Sequence, residues 1–179
     1  MTIPYSTQTP HGELTIALAQ QEDVGTLVNI VESVSAWQVA RGIDPRLPSQ
    51  PLHEVAAKRI SHGTTFLARL DSTPAGVVTL GWADHNEAWS DLPGDAVYVY
   101  GLMVHRAFAG HAIGEMILHW VGQTALKAGK ASVRLECDAD NPSLRAYYER
   151  AGFIFRGEIE DRLGLAARFE KPAILSKSS

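Results

Sequence analysis

The chain has a single cysteine, Cys137, among 179 residues, so no internal disulfide can form and a reducing compartment fits. No apolar run approaches the roughly 18 residues that a membrane-spanning helix needs. Residues Met1 to Glu13 are polar and hold two prolines, so they lack the apolar heart of a signal peptide. A large excess of one sign of charge is lacking too. A formal balance of −4 excludes a broad nucleic-acid footprint and leaves room only for a local basic site. There is no internal repeat and no low-complexity tract. These absences leave a soluble, cytoplasmic protein with no membrane and no nucleic-acid partner. Hydrophobic residues at 45% and charged residues at 20% suit a globular chain that buries a full core. The reading expects a flexible leader over 1–12, one domain over 13–172 and a tail over 173–179.

What is present is organised around residues 96–128. Val97 to Val104 is a β-branched and aromatic run and predicts a strand. Ala109-Gly110-His111-Ala112-Ile113-Gly114 is a run of mostly small residues. Ile113, Met116, Ile117, Trp120, Val121, Thr124 and Ala128 then recur at helical spacing, and Gly129 stops that helix. A helix that starts without bulky side chains presents free N–H groups and the positive end of a dipole, which suits phosphate. From spacing alone, an ordinary tight turn with close helix packing explains the glycines equally well.

Around this centre the pattern gives a strand at Leu14–Leu18, a helix from Val24 toward Arg41 and a proline-rich loop over Ile43–Pro51. A short helix at His53–Ser61 and a hairpin over Thr64–Leu70 and Ala75–Trp82 follow. Asp84 to Gly94 reads as a long loop. Beyond the central helix come a strand at Ser132–Cys137, a helix entrance at Asn141-Pro142-Ser143 and a helix over Leu144–Arg150. Two last strands, Phe153–Ile159 and Leu165–Glu170, are joined by a turn near Asp161–Gly164.

The order strand, small-residue turn, helix, then LECDAD, then Asn141 with YYERAGF behind it, resembles the GCN5-related N-acetyltransferase (GNAT) family. Members of that family transfer an acyl group from acyl-coenzyme A to an amine. The specific part is Leu102–Gly114 with Asn141–Phe153. The family turn commonly reads Arg or Gln, two residues, Gly, one residue, then Gly or Ala. Aligned on Gly114, Ala109 replaces the long polar side chain and Ala112 replaces the middle glycine. The backbone donors of Gly110, His111, Ala112, Ile113 and Gly114 survive both departures. The resemblance implies an α/β (α+β) fold: a mixed, largely antiparallel sheet with helices on both faces. It implies acetyl-CoA as co-substrate, with its pyrophosphate on residues 109–114 and its pantetheine arm along Leu102, Met103 and Val104. It also implies that one N–H of that edge polarises the thioester, that Asn141 bonds the arm, and that Tyr148 sits near the sulfur and protonates the leaving thiolate.

An amine must be neutral to attack, so a base is needed. Glu136, at the end of its strand, is the first choice; an ordinary sheet-end charge explains it as well, and Asp138 is its neighbour. Cys137 reads as a small buried hydrophobe rather than a nucleophile. Asp84, His85 and Glu87 lack metal-ligand spacing, and no metal is expected. His105 and His111 flank the turn. The loops Trp37–Pro51 and Trp82–Pro93 are expected to wall the acceptor pocket. The acceptor is read as a small-molecule amine, with a peptide or protein amine as the alternative, and the reading admits a homodimer. A non-catalytic acyl-CoA sensor is the main rival. A nucleotide-binding domain is disfavoured by the missing G-x-G-x-x-G spacing.

Overall fold

A computed structural model of the chain describes residues 5–85, 87–161 and 164–173. The expected tail lies outside the described residues from 174 on. So do residues 1–4 of the expected leader, and 162 and 163 of the expected last turn. The architecture is mixed α/β, with eight mostly antiparallel strands and four α-helices among the described residues. None of those helices is long and apolar enough to cross a membrane. The described residues form two compact units, one of 5–79 and 101–117, the other of 80–100 and 118–173.

In the first unit, β1 (Tyr5–Thr9), β2 (Gly12–Leu18), β3 (Thr65–Leu70) and β4 (Thr73–Gly81, to Thr79) follow one another as antiparallel neighbours. Leu14 and Ile16 alternate inward on β2, the period-two signature of a half-buried strand. Tyr5–Thr9 therefore form an edge strand where the sequence reading expected a loose leader. Its residues are mostly polar because an edge strand needs only backbone pairing, here Tyr5↔Ile16 to Thr9↔Gly12. The β3–β4 turn is also tighter than expected. Asp71 and Ser72 both take positive φ, 44° and 68°, as a two-residue primed turn requires, so β4 begins at Thr73.

Helix α1 (Val24–Val39) starts behind Asp23, whose carboxylate accepts from the Gln20 N–H at 2.9 Å and pairs with Arg69 at 2.7 Å. Its Leu27 and Ile30 pack with Ala56 and Ile60 of α2 (Leu52–Ser61) onto Leu67 and Val77. The chain re-enters this unit at Gly101 in β5 (Ala96–Val104) and opens α3 (Ile113–Lys127). Gly76 of β4 is a contact point. A Cβ built there would lie 3.0 Å from both the Met103 carbonyl oxygen and Ile117 Cδ1.

In the second unit, residues 96–99 of β5 pair in parallel with β6 (Ser132–Asp138), from Ala96↔Ser132 to Val99↔Leu135. Helix α4 (Pro142–Arg150) follows, then β7 (Ile154–Asp161) and β8 (Gly164–Pro172). The strand order here is β5-β6-β8-β7, with β8 antiparallel to both of its neighbours. Phe169, Val133 and Leu135 are fully or almost fully buried, as is Trp89 in the loop before β5.

Candidate active site

The first unit carries the small-residue turn. A single 3-10 turn, Arg106–Phe108, precedes it, capped by His105, whose Nδ1 accepts from the Ala107 N–H at 3.2 Å. Arg106 is fixed from two sides. Its N–H donates to Ser33 Oγ at 3.0 Å, and its guanidinium lies 4.1 Å from the Trp37 ring centroid. Trp37 thus serves as a stacking platform for Arg106. The backbone then takes positive φ at Gly110, 83°, and at Ala112, 56°. Such alternation turns successive N–H groups toward one side, the geometry of an anion nest. Met116 N donates to the Ala112 carbonyl at 3.1 Å and begins the helical ladder. The N–H groups of Gly110, Ala112, Ile113, Gly114 and Glu115 have no acceptor among the described residues. Free donors at the positive end of a 15-residue helix form a cradle for a diphosphate. The dipole alone contributes about 0.3–2 kcal/mol toward such an anion. His111 lies beside the turn with its ring 4.3 Å from that of His11. Ala109 supplies only a methyl group, so an anion at this turn would meet backbone donors alone.

Just upstream, Gly101 has φ 55°, a conformation a side chain would strain, and it redirects β5 before the half-buried run Leu102-Met103-Val104. Beside this bend lies a cavity of about 100 Å³, walled by α1, α2 and the loop residues Pro45 to Pro48. Gly101 and Met103 form part of its lining. Of the stretch 37–51, the first three residues belong to α1, and Pro45 to Pro48 line this cavity.

The second unit holds Glu136, Asn141 and Tyr148. The Trp89 indole Nε1 donates to Glu136 Oε1 at 2.7 Å. Burial holds the Glu136 carboxyl above the usual carboxylate range; the Trp89 hydrogen bond partly opposes this, and the charges of Asp84 and Asp161 add to it. Asp84 itself accepts from the Ala88 and Trp89 N–H groups at 3.2 and 2.7 Å, so it shapes the loop that delivers Trp89. Trp89 also lies under two guanidinium groups, Arg134 at 4.5 Å and Arg168 at 5.4 Å. Burial pushes the Tyr100 phenol up to about 12, with Glu136 and Asp84 adding to the shift.

Tyr148 stands apart from this group. It is 7% exposed, with its ring 5.9 Å from those of Phe153 and Phe169. Burial, then the neighbouring Cys137 and Tyr147, raise its phenol well above the ordinary value. Successive residues of a strand face opposite ways, so Tyr148 stands on the Cys137 side of β6 and Glu136 on the other. Cys137 is a buried thiol, pushed up to about 11 chiefly by burial, which makes it a poor nucleophile at neutral pH. Asn141 caps α4: its Oδ1 accepts from the Leu144 N–H at 3.0 Å, with proline in the first helical turn. The partnership of Trp89 with Glu136, 47 residues apart, carries no sequence signal at all.

A model described as the acetyltransferase (GNAT) family matches residues 32–153. The chain is similar to the uncharacterized N-acetyltransferase YesJ of Bacillus subtilis (strain 168). The two are 29% identical over 147 residues, covering 78% of this chain and 81% of that one. Among solved structures, a GNAT-family acetyltransferase from Listeria monocytogenes 4b F2365 matches with a TM-score of 0.75 at 19% identity, covering 94% of this chain and 99% of its own. The PaiA N-acetyltransferase of Thermoplasma acidophilum, solved in complex with coenzyme A, matches with a TM-score of 0.65 at 18% identity, covering 89% and 98%. At such identities the solved structures speak for the fold, and the family match, which spans well over half of the sequence, goes further. The chain belongs to the acetyltransferase (GNAT) family and is a transferase.

Proposed function

We propose that this chain transfers the acetyl group of acetyl-CoA to the amine of a small molecule by direct attack. The observation that carries the reading is the set of unpaired N–H groups of Gly110, Ala112, Ile113, Gly114 and Glu115 at the head of α3. These donors suit the diphosphate of coenzyme A, and the half-buried Leu102-Met103-Val104 edge offers amides for its arm. Acetyl-CoA supplies an acetyl group already activated as a thioester. An N–H of that edge polarises its carbonyl, in the manner of an oxyanion hole. An alkylamine of pKa about 10.4 is protonated at pH 7, and removing that proton costs about 4–5 kcal/mol. Glu136, held upward by burial, is a stronger base than a solvated carboxylate and takes that proton, directly or through water. Tyr148 keeps its own proton across the whole working range because its phenol is raised, so it stands ready as the donor to the departing thiolate. A cavity of about 100 Å³ beside Gly101 and Met103 favours a small acceptor over a protein segment.

Free-thiol release from acetyl-CoA, followed with a panel of small amines and short peptides, tests this reading. Release with one or more small amines supports it, and a fall of about 10²-fold or more in kcat for Tyr148→Phe, at unchanged coenzyme A affinity, supports the acid. Release only with peptides moves the acceptor class. Binding of acetyl-CoA with no release for any amine leaves a sensor.

A further inference from the structure

The lining of the first unit's cavity includes two arginines, Arg46 and Arg59, set among apolar walls. Leu27, Val28 and Val31 of α1 and Leu52 and Val55 of α2 form most of its surface. Arg59, in the last turn of α2, lines the same space. A Cβ added to Gly101 would stand 2.8 Å from Arg59 Nη1, so the guanidinium packs directly on the bend of β5. Its side chain has no carboxylate and no hydrogen-bond partner among the described residues. Arg59 keeps an exposed face, and partial desolvation by the surrounding protein lowers its pKa. The polar lining residues Thr65 and Thr79 bond each other through their hydroxyls at 2.9 Å, and Thr65 Oγ1 also donates to the Arg59 backbone carbonyl at 3.4 Å, leaving the guanidinium out of both bonds. Arginine carries five donors in a planar fork, and a carboxylate is its matching partner.

We infer that this cavity takes an amine that also bears a carboxylate a few bonds away, with a short apolar body, and that Arg59 binds the carboxylate. Three features fix the class. The fork asks for a planar anion. The aliphatic walls ask for an apolar remainder. A volume of about 100 Å³ exceeds the roughly 10–15 Å³ needed by one water by a factor that admits a small molecule only. Arg59 sits against Gly101, one residue before the edge proposed for the thioester, so anion and amine lie close together in the acceptor. A small apolar amino acid meets all of these demands. The inference rests on the acyl-transfer reading for the amine, and on the cavity alone for the carboxylate.

The test uses matched probes on the full chain: L-leucine, its carboxamide, and isoamylamine, which lacks the carboxyl group. Binding is followed by calorimetry with and without coenzyme A, and acetyl transfer is measured separately. L-leucine is expected to bind about tenfold or more tighter than either analogue. Arg59→Gln is expected to erase that preference while coenzyme A affinity stays unchanged, and Arg59→Lys to restore part of it. Equal binding of the three probes by the unaltered protein overturns the inference without needing any variant. So does a preference that survives Arg59→Gln. Arg59-dependent binding of L-leucine without acetyl transfer keeps the carboxylate site and removes the catalytic reading. Faster transfer to isoamylamine than to L-leucine keeps the catalysis and removes the site.

Discussion

Ala112 holds a backbone conformation that its side chain opposes, and replacing it by glycine measures how much. Its φ of 56° lies in the left-handed region, which costs an L-residue about 1–2 kcal/mol. Glycine enters that region freely but gives back roughly 0.5–1 kcal/mol through the greater freedom of its unfolded chain. Ala112 is exposed, so removing its methyl forfeits little burial. The balance favours Ala112→Gly by about 0.5–1 kcal/mol, on the reasoning that glycine is the better residue wherever φ is positive. For a protein of this size that raises the melting temperature by about 1–4 °C. The assay is equilibrium denaturation with the slope compared as well as the midpoint, so that stability is separated from a change in the denatured state. Coenzyme A affinity should be unchanged, because the substitution removes no N–H donor. Ala112→Val is the opposite control: a β-branched residue at this φ should lose about 1–3 kcal/mol. A lower midpoint for Ala112→Gly, or a neutral Ala112→Val, would refute the claim that this turn is held open against its own side chain.

Two further outcomes follow from unit-level chemistry. Glu136→Gln should cut turnover by about 10²–10⁴. It should also change stability with a definite sign. The folded Glu136 carboxyl is raised, so its contribution is fully present below the unfolded pKa of about 4.3 and is lost as pH rises through the folded value. The melting temperature of Glu136→Gln should therefore overtake that of the unaltered protein between acid and neutral pH, and a constant gap across that window would count against the buried carboxyl. Asn141→Ala should lose about 1 kcal/mol with the α4 cap, whereas Asn141→Asp, which still caps, should not; thermal melts read the difference.

The chain announced its frame through local pattern and hid its chemistry in distant pairings. Val97 to Val104 is β-branched enough to declare β5, and Ile113, Ile117 and Val121 declare α3, because burial of one face leaves a period in the sequence. Pro142 and Asn141 marked the start of α4 for the same local reason. Tyr5–Thr9 escaped notice since an edge strand needs no apolar period. Positive φ at Ala112 was invisible because alanine is not the residue that advertises it. The donors offered by Trp89 to Glu136, and the placing of Arg59 on Gly101, depend on which strands and helices meet, and no local window contains both partners.

Gly76 sits far from the turn in sequence, yet its missing side chain sets the spacing on which that turn depends. The Met103 carbonyl oxygen and the Ile117 Cδ1 methyl each lie 3.0 Å from the place a Cβ would occupy, so an added carbon requires those neighbours to give by a few tenths of an ångström. A side chain larger than alanine is expected to press on Met103 and on α3 at Ile117, and through them on the free amides at the head of that helix. Loss of coenzyme A affinity could thus arise from a position that never meets the ligand, and a scan restricted to contact residues would pass over it.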